Sequence, residues 1–146
     1  LHQGAEQDST DFQKCLRRID APRVLALGFL GARIDHGLAV LSALAQTPPG
    51  GCVLSSPYDI AGHCPPKIAL DLTPGTRVSL YPMTKVTGRS TGLNWPIEGL
   101  AVDPMGQIGT SNHATGPVSL EMSGEGMLLI LPPDAYASLL AALPSA

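Results

Sequence analysis

The stretch Val24–Leu30, VLALGFL, is an unbroken apolar run, closed by Gly31 and followed at Arg33 by a segment of helical period. Seven apolar or small residues without alternation read as a strand buried on both faces, as in a parallel sheet. Working outward, Arg33 to Gln46 places Ile34, Leu38, Leu41 and Ala45 on one helical face, and Gln46-Thr-Pro-Pro-Gly-Gly51 ends that helix. Upstream, Thr10 to Ile19 reads as a short helix with Phe12, Leu16 and Ile19 at i, i+4, i+7 and a Thr10/Gln13 capping-box pattern. Cys52 to Ser56 is a second short strand. Helix, strand, helix, strand is the order of an α/β unit with parallel pairing.

From Pro57 the period changes. Ile68-Leu70-Leu72, Val78-Leu80, Leu93-Trp95-Ile97, Leu100-Val102 and Val118-Leu120-Met122 alternate apolar and polar residues, with Gly, Pro and Asn turns between them. That spacing belongs to an antiparallel β sandwich. Met127 to Leu131 reads as a buried run, and Asp134 to Leu143 as a terminal helix. The expected fold class is therefore α/β followed by all-β: a partial parallel nucleotide-binding domain over 1–56, then a sandwich with a terminal helix over 57–146. Two clear strands are few for a parallel sheet, so a further segment is expected before Leu1.

Composition narrows the function. With 44% hydrophobic and 14% charged residues, the chain of 146 residues can bury a core and does not read as disordered. A net charge of −3 gives no general attraction to nucleic acid or to an anionic membrane, so an anionic ligand needs local groups to hold it. No apolar run is long enough to span a bilayer as a helix. Cys15, Cys52 and Cys64 show no C-x-x-C spacing and read as unpaired thiols of a reducing cytoplasm. Cys52, His63 and Cys64 lack a fourth ligand at zinc-like spacing.

Four segments carry chemistry-bearing residues. In Gln7 to Lys14 (QDSTDFQK), Asp8 and Asp11 surround a helix start, where acids either favour the helix dipole or offer oxygen ligands to Mg²⁺. Gly28 to His36 (GFLGARIDH) joins strand to helix at the sheet edge where α/β proteins bind ligands. Its glycines admit close backbone approach, and Arg33 is a planar cation suited to phosphate. Asp35 either pairs with Arg33 on the surface or reaches the ligand. Thr91 to Pro96 holds the single tryptophan, Trp95, which is either core or a face for a flat cation. Gly109 to Asn112 is a polar, turn-like cluster, either closed on itself or offering donors and acceptors to a polar ring.

In this order the four segments resemble the thiamine pyrophosphokinase family, whose patterns look like Q-D-x-T-D-F-x-K, G-x-x-G-R-x-D, T-x-G-L-x-W and T-S-N. The matches are Gln7 to Lys14, Gly28 to His36, Ser90 to Trp95 and Thr110 to Asn112. The resemblance implies a Mg²⁺-dependent transfer of pyrophosphate from ATP to the hydroxyl of thiamine, giving thiamine diphosphate and AMP, in a cytoplasmic homodimer. It implies Asp8 and Asp11 as metal ligands, and Asp8, Asp11, Arg33 and Asp35 as catalytic residues. It implies Gln7, Thr10, Gly31 and Arg33 against ATP, and Trp95, Ser111 and Asn112 against thiamine. In such homodimers the site joins the α/β domain of one chain to the sandwich of the other. Two further family patterns, Asp-Gly-Gly-Ala and Gly-Asp-x-Asp-Ser, have no match, and their expected place lies before Leu1. The alternative is a non-catalytic module of the same origin that binds thiamine or nucleotide.

Overall fold

The apolar run closes into a strand that is shorter than its hydrophobicity suggests. In the computed structural model, which describes residues 11–31 and 33–144, strand β1 covers Val24–Leu27 and stops at Gly28. Gly28 has φ 76°, a left-handed conformation that a glycine adopts without cost and that ends strand geometry. Strand β2 (Cys52–Ser55) lies parallel to β1, with Val24 opposite Cys52 and Leu27 opposite Ser55, as the α/β reading requires.

Helix α1 (Asp11–Arg18) is anchored by Phe12, which is buried and tilted against Phe29 with ring centroids 4.8 Å apart. Helix α2 (Ile34–Ala45) departs from the expected face. Val40, Ala43 and Leu44 are buried against Ala26, Leu54, Ala61 and Leu128, whereas Ile34 is 80% and Leu38 61% exposed. The helix carries two apolar stripes, and the sheet takes the one lined by the smaller alanine and valine side chains, which lets the backbones approach. Strand β1 is likewise buried on one face and not on both. Ala26 points into the core with Val40, Ala43 and Leu44 of α2, while Leu25 and Leu27, on the opposite face of the strand, are exposed.

The remaining strands are β3 (Ile60–His63), β4 (Lys67–Leu70), β5 (Arg77–Pro82), β6 (Val86–Leu93), β7 (Ala101–Val102), β8 (Gly109–Met122) and β9 (Met127–Leu131). The sheet order is β1-β2-β3-β9-β5-β8-β6-β7, with β4 also on β8, and every pairing after β1–β2 is antiparallel. Among the described residues the fold is thus a mixed sheet of nine strands with three α-helices: a partial parallel α/β portion leading into an antiparallel sandwich. The boundary drawn at residue 56 falls in the β2–β3 connection, and the sheet runs across it.

Strand β8 makes the sandwich. Its first residues, Gly109 to His113, pair with β5, and Ala114 to Met122 pair with β6, while Val118 to Glu121 also pair with β4, so one bent strand belongs to both layers. Between the layers lies a core that includes Val78, Leu80, Val118, Leu120 and Leu129. After a 3-10 turn at Pro133–Ala135, helix α3 (Tyr136–Ala142) closes one end through Leu139.

His63 ties the two portions together. It is buried, and its Nε2 accepts the Gly126 N–H at 2.8 Å, so the proton sits on Nδ1 and is donated to the Thr47 carbonyl at 2.7 Å. Both ring nitrogens are thus engaged within the protein.

Candidate functional site

The site around Trp95 begins with a glycine. Gly92 has φ 82°, and a Cβ there would lie 2.0 Å from the Pro117 carbonyl oxygen, so no side chain fits. The register between β6 and β8 shifts between Thr91 and Leu93, and the chain leaves β6 to cross back over β8. There the Asn94 N–H donates to the His113 carbonyl at 2.9 Å. Trp95 follows in a loop, not in the strand expected from the Leu93-Trp95-Ile97 alternation, and is 59% exposed.

Asn112 lies beneath it, buried at 6% exposure. Its Oδ1 accepts the Trp95 N–H at 3.1 Å and the His113 N–H at 2.9 Å, and its Nδ2 donates to the Trp95 carbonyl at 2.7 Å. The asparagine imitates a neighbouring strand, and one Nδ2 hydrogen is left for another acceptor. Ser111 has φ 64°, a left-handed conformation uncommon for a residue with a Cβ, and its N–H donates to the Ser79 Oγ at 3.0 Å. Strain of this kind concentrates at functional sites. The polar cluster read as a turn is therefore part of a continuous strand, kinked at Ser111. His113 packs its ring at 82° to the indole with centroids 5.4 Å apart. Trp95, Asn112 and His113 are thus brought together, while Ser111 is hydrogen-bonded to Ser79 of β5.

The second group lies at the carboxyl end of β1. Arg33 stands immediately before α2 and donates Nε to Asp35 Oδ1 at 3.1 Å and Nη2 to Oδ2 at 2.6 Å, a two-pronged pair with both side chains about two-thirds exposed. Asp35 Oδ1 also accepts the His36 N–H at 2.9 Å. The Arg33 guanidinium first, and that N–H second, hold the Asp35 carboxyl below its usual range. Gly31 is exposed, and a Cβ on it would meet nothing within 4 Å. Among the described residues, no hydrogen bond or ion pair joins Arg33 or Asp35 to Trp95, Ser111 or Asn112.

Asp11 is exposed at the first turn of α1, while Gln7, Asp8 and Thr10 lie outside the described residues. Among the described residues no three His, Cys, Asp or Glu side chains are grouped as a metal site. Asp11 offers the hard carboxylate oxygen that Mg²⁺ takes, Asp8 lies outside the described residues, and no chemical step is routed through the ion.

A cavity of about 530 Å³ opens elsewhere, at the amino end of β1, lined by Leu16, Val24, Pro48, Pro49 and Pro144. None of the expected site residues lines it. Sequence reasoning missed His113 and the pair formed by Arg77 Nη2 and Asp59 Oδ1 at 2.5 Å. His113 adjoins the Thr110-Ser-Asn112 cluster, but nothing in its spacing pairs it with a tryptophan eighteen positions earlier.

No protein-family model and no curated protein sequence matches the chain. Solved structures do. Thiamin pyrophosphokinase from Geobacillus thermodenitrificans superposes with a TM-score of 0.66 at 18% identity, covering 92% of this chain and 66% of its own. A thiamin pyrophosphokinase family protein from Enterococcus faecalis gives 0.73 at 18% identity, covering 92% and 68%. Thiamin pyrophosphokinase from Candida albicans gives 0.66 at 16% identity, covering 77% and 45%. The chain thus has the fold of these proteins and spans about half to two-thirds of their length. No helix among the described residues is long and apolar enough to cross a membrane.

Proposed function

We propose that this chain carries the thiamine-binding sandwich and part of the nucleotide-binding α/β domain of a thiamine pyrophosphokinase. The observation that supports it best is the exposed Trp95 indole, held at its backbone by the buried Asn112. It does so on a fold shared with thiamin pyrophosphokinases from two bacteria and a yeast. The indole face attracts a flat cation by dispersion and by its quadrupole, which suits the thiazolium of thiamine.

In the reaction the thiamine hydroxyl oxygen forms a bond to the β-phosphorus of ATP. The bond from that phosphorus to the α-phosphate oxygen breaks, AMP leaves, and the hydroxyl proton is released. Transfers of this type depend on positioning and charge neutralisation more than on a covalent enzyme intermediate. Arg33 turns from Asp35 to phosphate oxygens and neutralises them, and Asp35 keeps the guanidinium oriented until the nucleotide arrives. Gly31 lets the phosphates approach the backbone. Gln7 and Thr10 contact the nucleotide, Asp8 and Asp11 contribute to the Mg²⁺ shell, and Ser111 and the free Asn112 hydrogen meet the polar edge of thiamine. As the family resemblance implies, the two halves meet across a homodimer, the α/β portion of one copy facing the sandwich of the other. The setting is cytoplasmic.

The test is to incubate the full-length protein with ATP, Mg²⁺ and thiamine and to follow AMP and thiamine diphosphate together. Equal amounts of both are expected. Thiamine binding without AMP supports instead a binding module. Absence of both binding and AMP contradicts the two readings alike.

A further inference from the structure

Asn112 fixes the main chain of Trp95 but holds nothing of the ring, and an indole that is 59% exposed would otherwise turn about its side-chain torsions. The aromatic ring packed on it, among the described residues, is that of His113, perpendicular at 82° with centroids 5.4 Å apart. Edge-to-face contact of this kind is favourable and directional. His113 is itself on a rigid support. Its N–H donates to Asn112 Oδ1 at 2.9 Å and its carbonyl accepts the Asn94 N–H at 2.9 Å. Its backbone stands opposite Arg77 in β5, and the next residue, Ala114, donates to the Thr76 carbonyl at 2.8 Å. A strand residue with a locked main chain therefore presents its ring to a loop residue whose ring is exposed.

We propose that His113 is a positioning residue of this site: its imidazole sets the Trp95 indole in one orientation before a flat heteroaromatic cation stacks on it. This rests on the reading of Trp95 as the thiamine face. The physical gain is pre-organisation, because the ordering cost of an exposed side chain is met before binding. Any aromatic ring in that position performs the task, and a small aliphatic side chain does not.

The lone tryptophan makes the test clean. Fluorescence anisotropy decay and near-ultraviolet circular dichroism of Trp95 are measured without ligand in wild type, His113→Ala and His113→Phe, and each protein is then titrated with thiamine. Far-ultraviolet dichroism checks that each variant is folded, and His113→Gln serves if His113→Ala is not. The alanine variant is expected to show faster indole motion, a weaker tryptophan dichroism band and thiamine affinity lowered about 2- to 10-fold. Phenylalanine is expected to restore all three. Unchanged indole motion in His113→Ala overturns the positioning role. A wild-type chain that ignores thiamine contradicts the functional reading instead, and the ligand-free anisotropy still decides whether His113 fixes the ring.

Discussion

Asn112 satisfies both main-chain polar groups of Trp95, accepting from its N–H at 3.1 Å and donating to its carbonyl at 2.7 Å. A polar side chain on β8 thus takes the part of a strand that is missing beside the loop. Replacing it with alanine leaves the Trp95 and His113 N–H groups and the Trp95 carbonyl without their partner. Asn112→Ala should cost about 1–3 kcal/mol of stability. The midpoint of urea unfolding reads this; a midpoint equal to wild type would mean that water replaces the amide fully.

Gly92 turns the chain from β6 towards Trp95 with a positive φ, and with the Pro117 carbonyl where a Cβ would stand. Gly92→Ala should destabilise by about 2 kcal/mol or more, since backbone must move on one side or the other. Gly116, where a Cβ meets nothing within 4 Å, is the control. Gly116→Ala should change stability by less than about 1 kcal/mol. Equal melting temperatures for the two variants would show that the β6–β8 crossing is more pliable than its geometry implies.

How much of this was legible in the sequence depends on whether a residue's partner is near in the chain. The parallel pairing followed from the apolar run Val24–Leu30, although the strand ends at Leu27, and the sandwich followed from alternation after Pro57. Local chemistry also placed Arg33 beside Asp35, two positions apart. The facing of α2 was not legible, because Ile34 and Leu38 form as regular a stripe as Val40 and Leu44, and only the small residues against the sheet decide between them. Nor was the extent of β8. Ser111 read as a turn residue, yet the strand runs through it and on to Met122, bending between the two layers. The hold of Asn112 on Trp95 spans seventeen positions and follows from the β6–β8 register, which composition does not encode.

Asp35 titrates low because Arg33 grips both of its oxygens. Its folded value lies below its unfolded one, so whatever stability the pair adds is present above the ordinary carboxylate range and is lost as pH falls through the lowered value. Arg33→Gln should move the Asp35 titration up towards the ordinary value of 3.8. Carbon-detected NMR of the carboxyl checks it. An unchanged titration would show that the guanidinium is not what lowers it, leaving the His36 N–H as the first remaining cause.

Burial pushes the Cys52 thiol up to about 11 and the Cys64 thiol to about 12, while Cys15 is exposed. A disulfide reagent at mildly alkaline pH should therefore label one thiol rapidly in the native chain and all three after denaturation. The same shifts make the folded state hold protons longer, so stability should fall as pH rises from the ordinary thiol value of 9.0 towards about 11. Rapid labelling of Cys52 or Cys64 in the native protein would show that the sheet opens around them.

The most direct measurement is a calorimetric titration of thiamine into the wild-type chain and into Trp95→Ala. Stacking of a cation on an indole contributes about 0.5–2 kcal/mol, so the alanine variant should bind about threefold to thirtyfold more weakly. Wild-type tryptophan fluorescence, from this residue alone, should change along the same isotherm. Equal affinities in the two proteins, with fluorescence indifferent to thiamine, would contradict the assignment of the Trp95 face as the thiamine site.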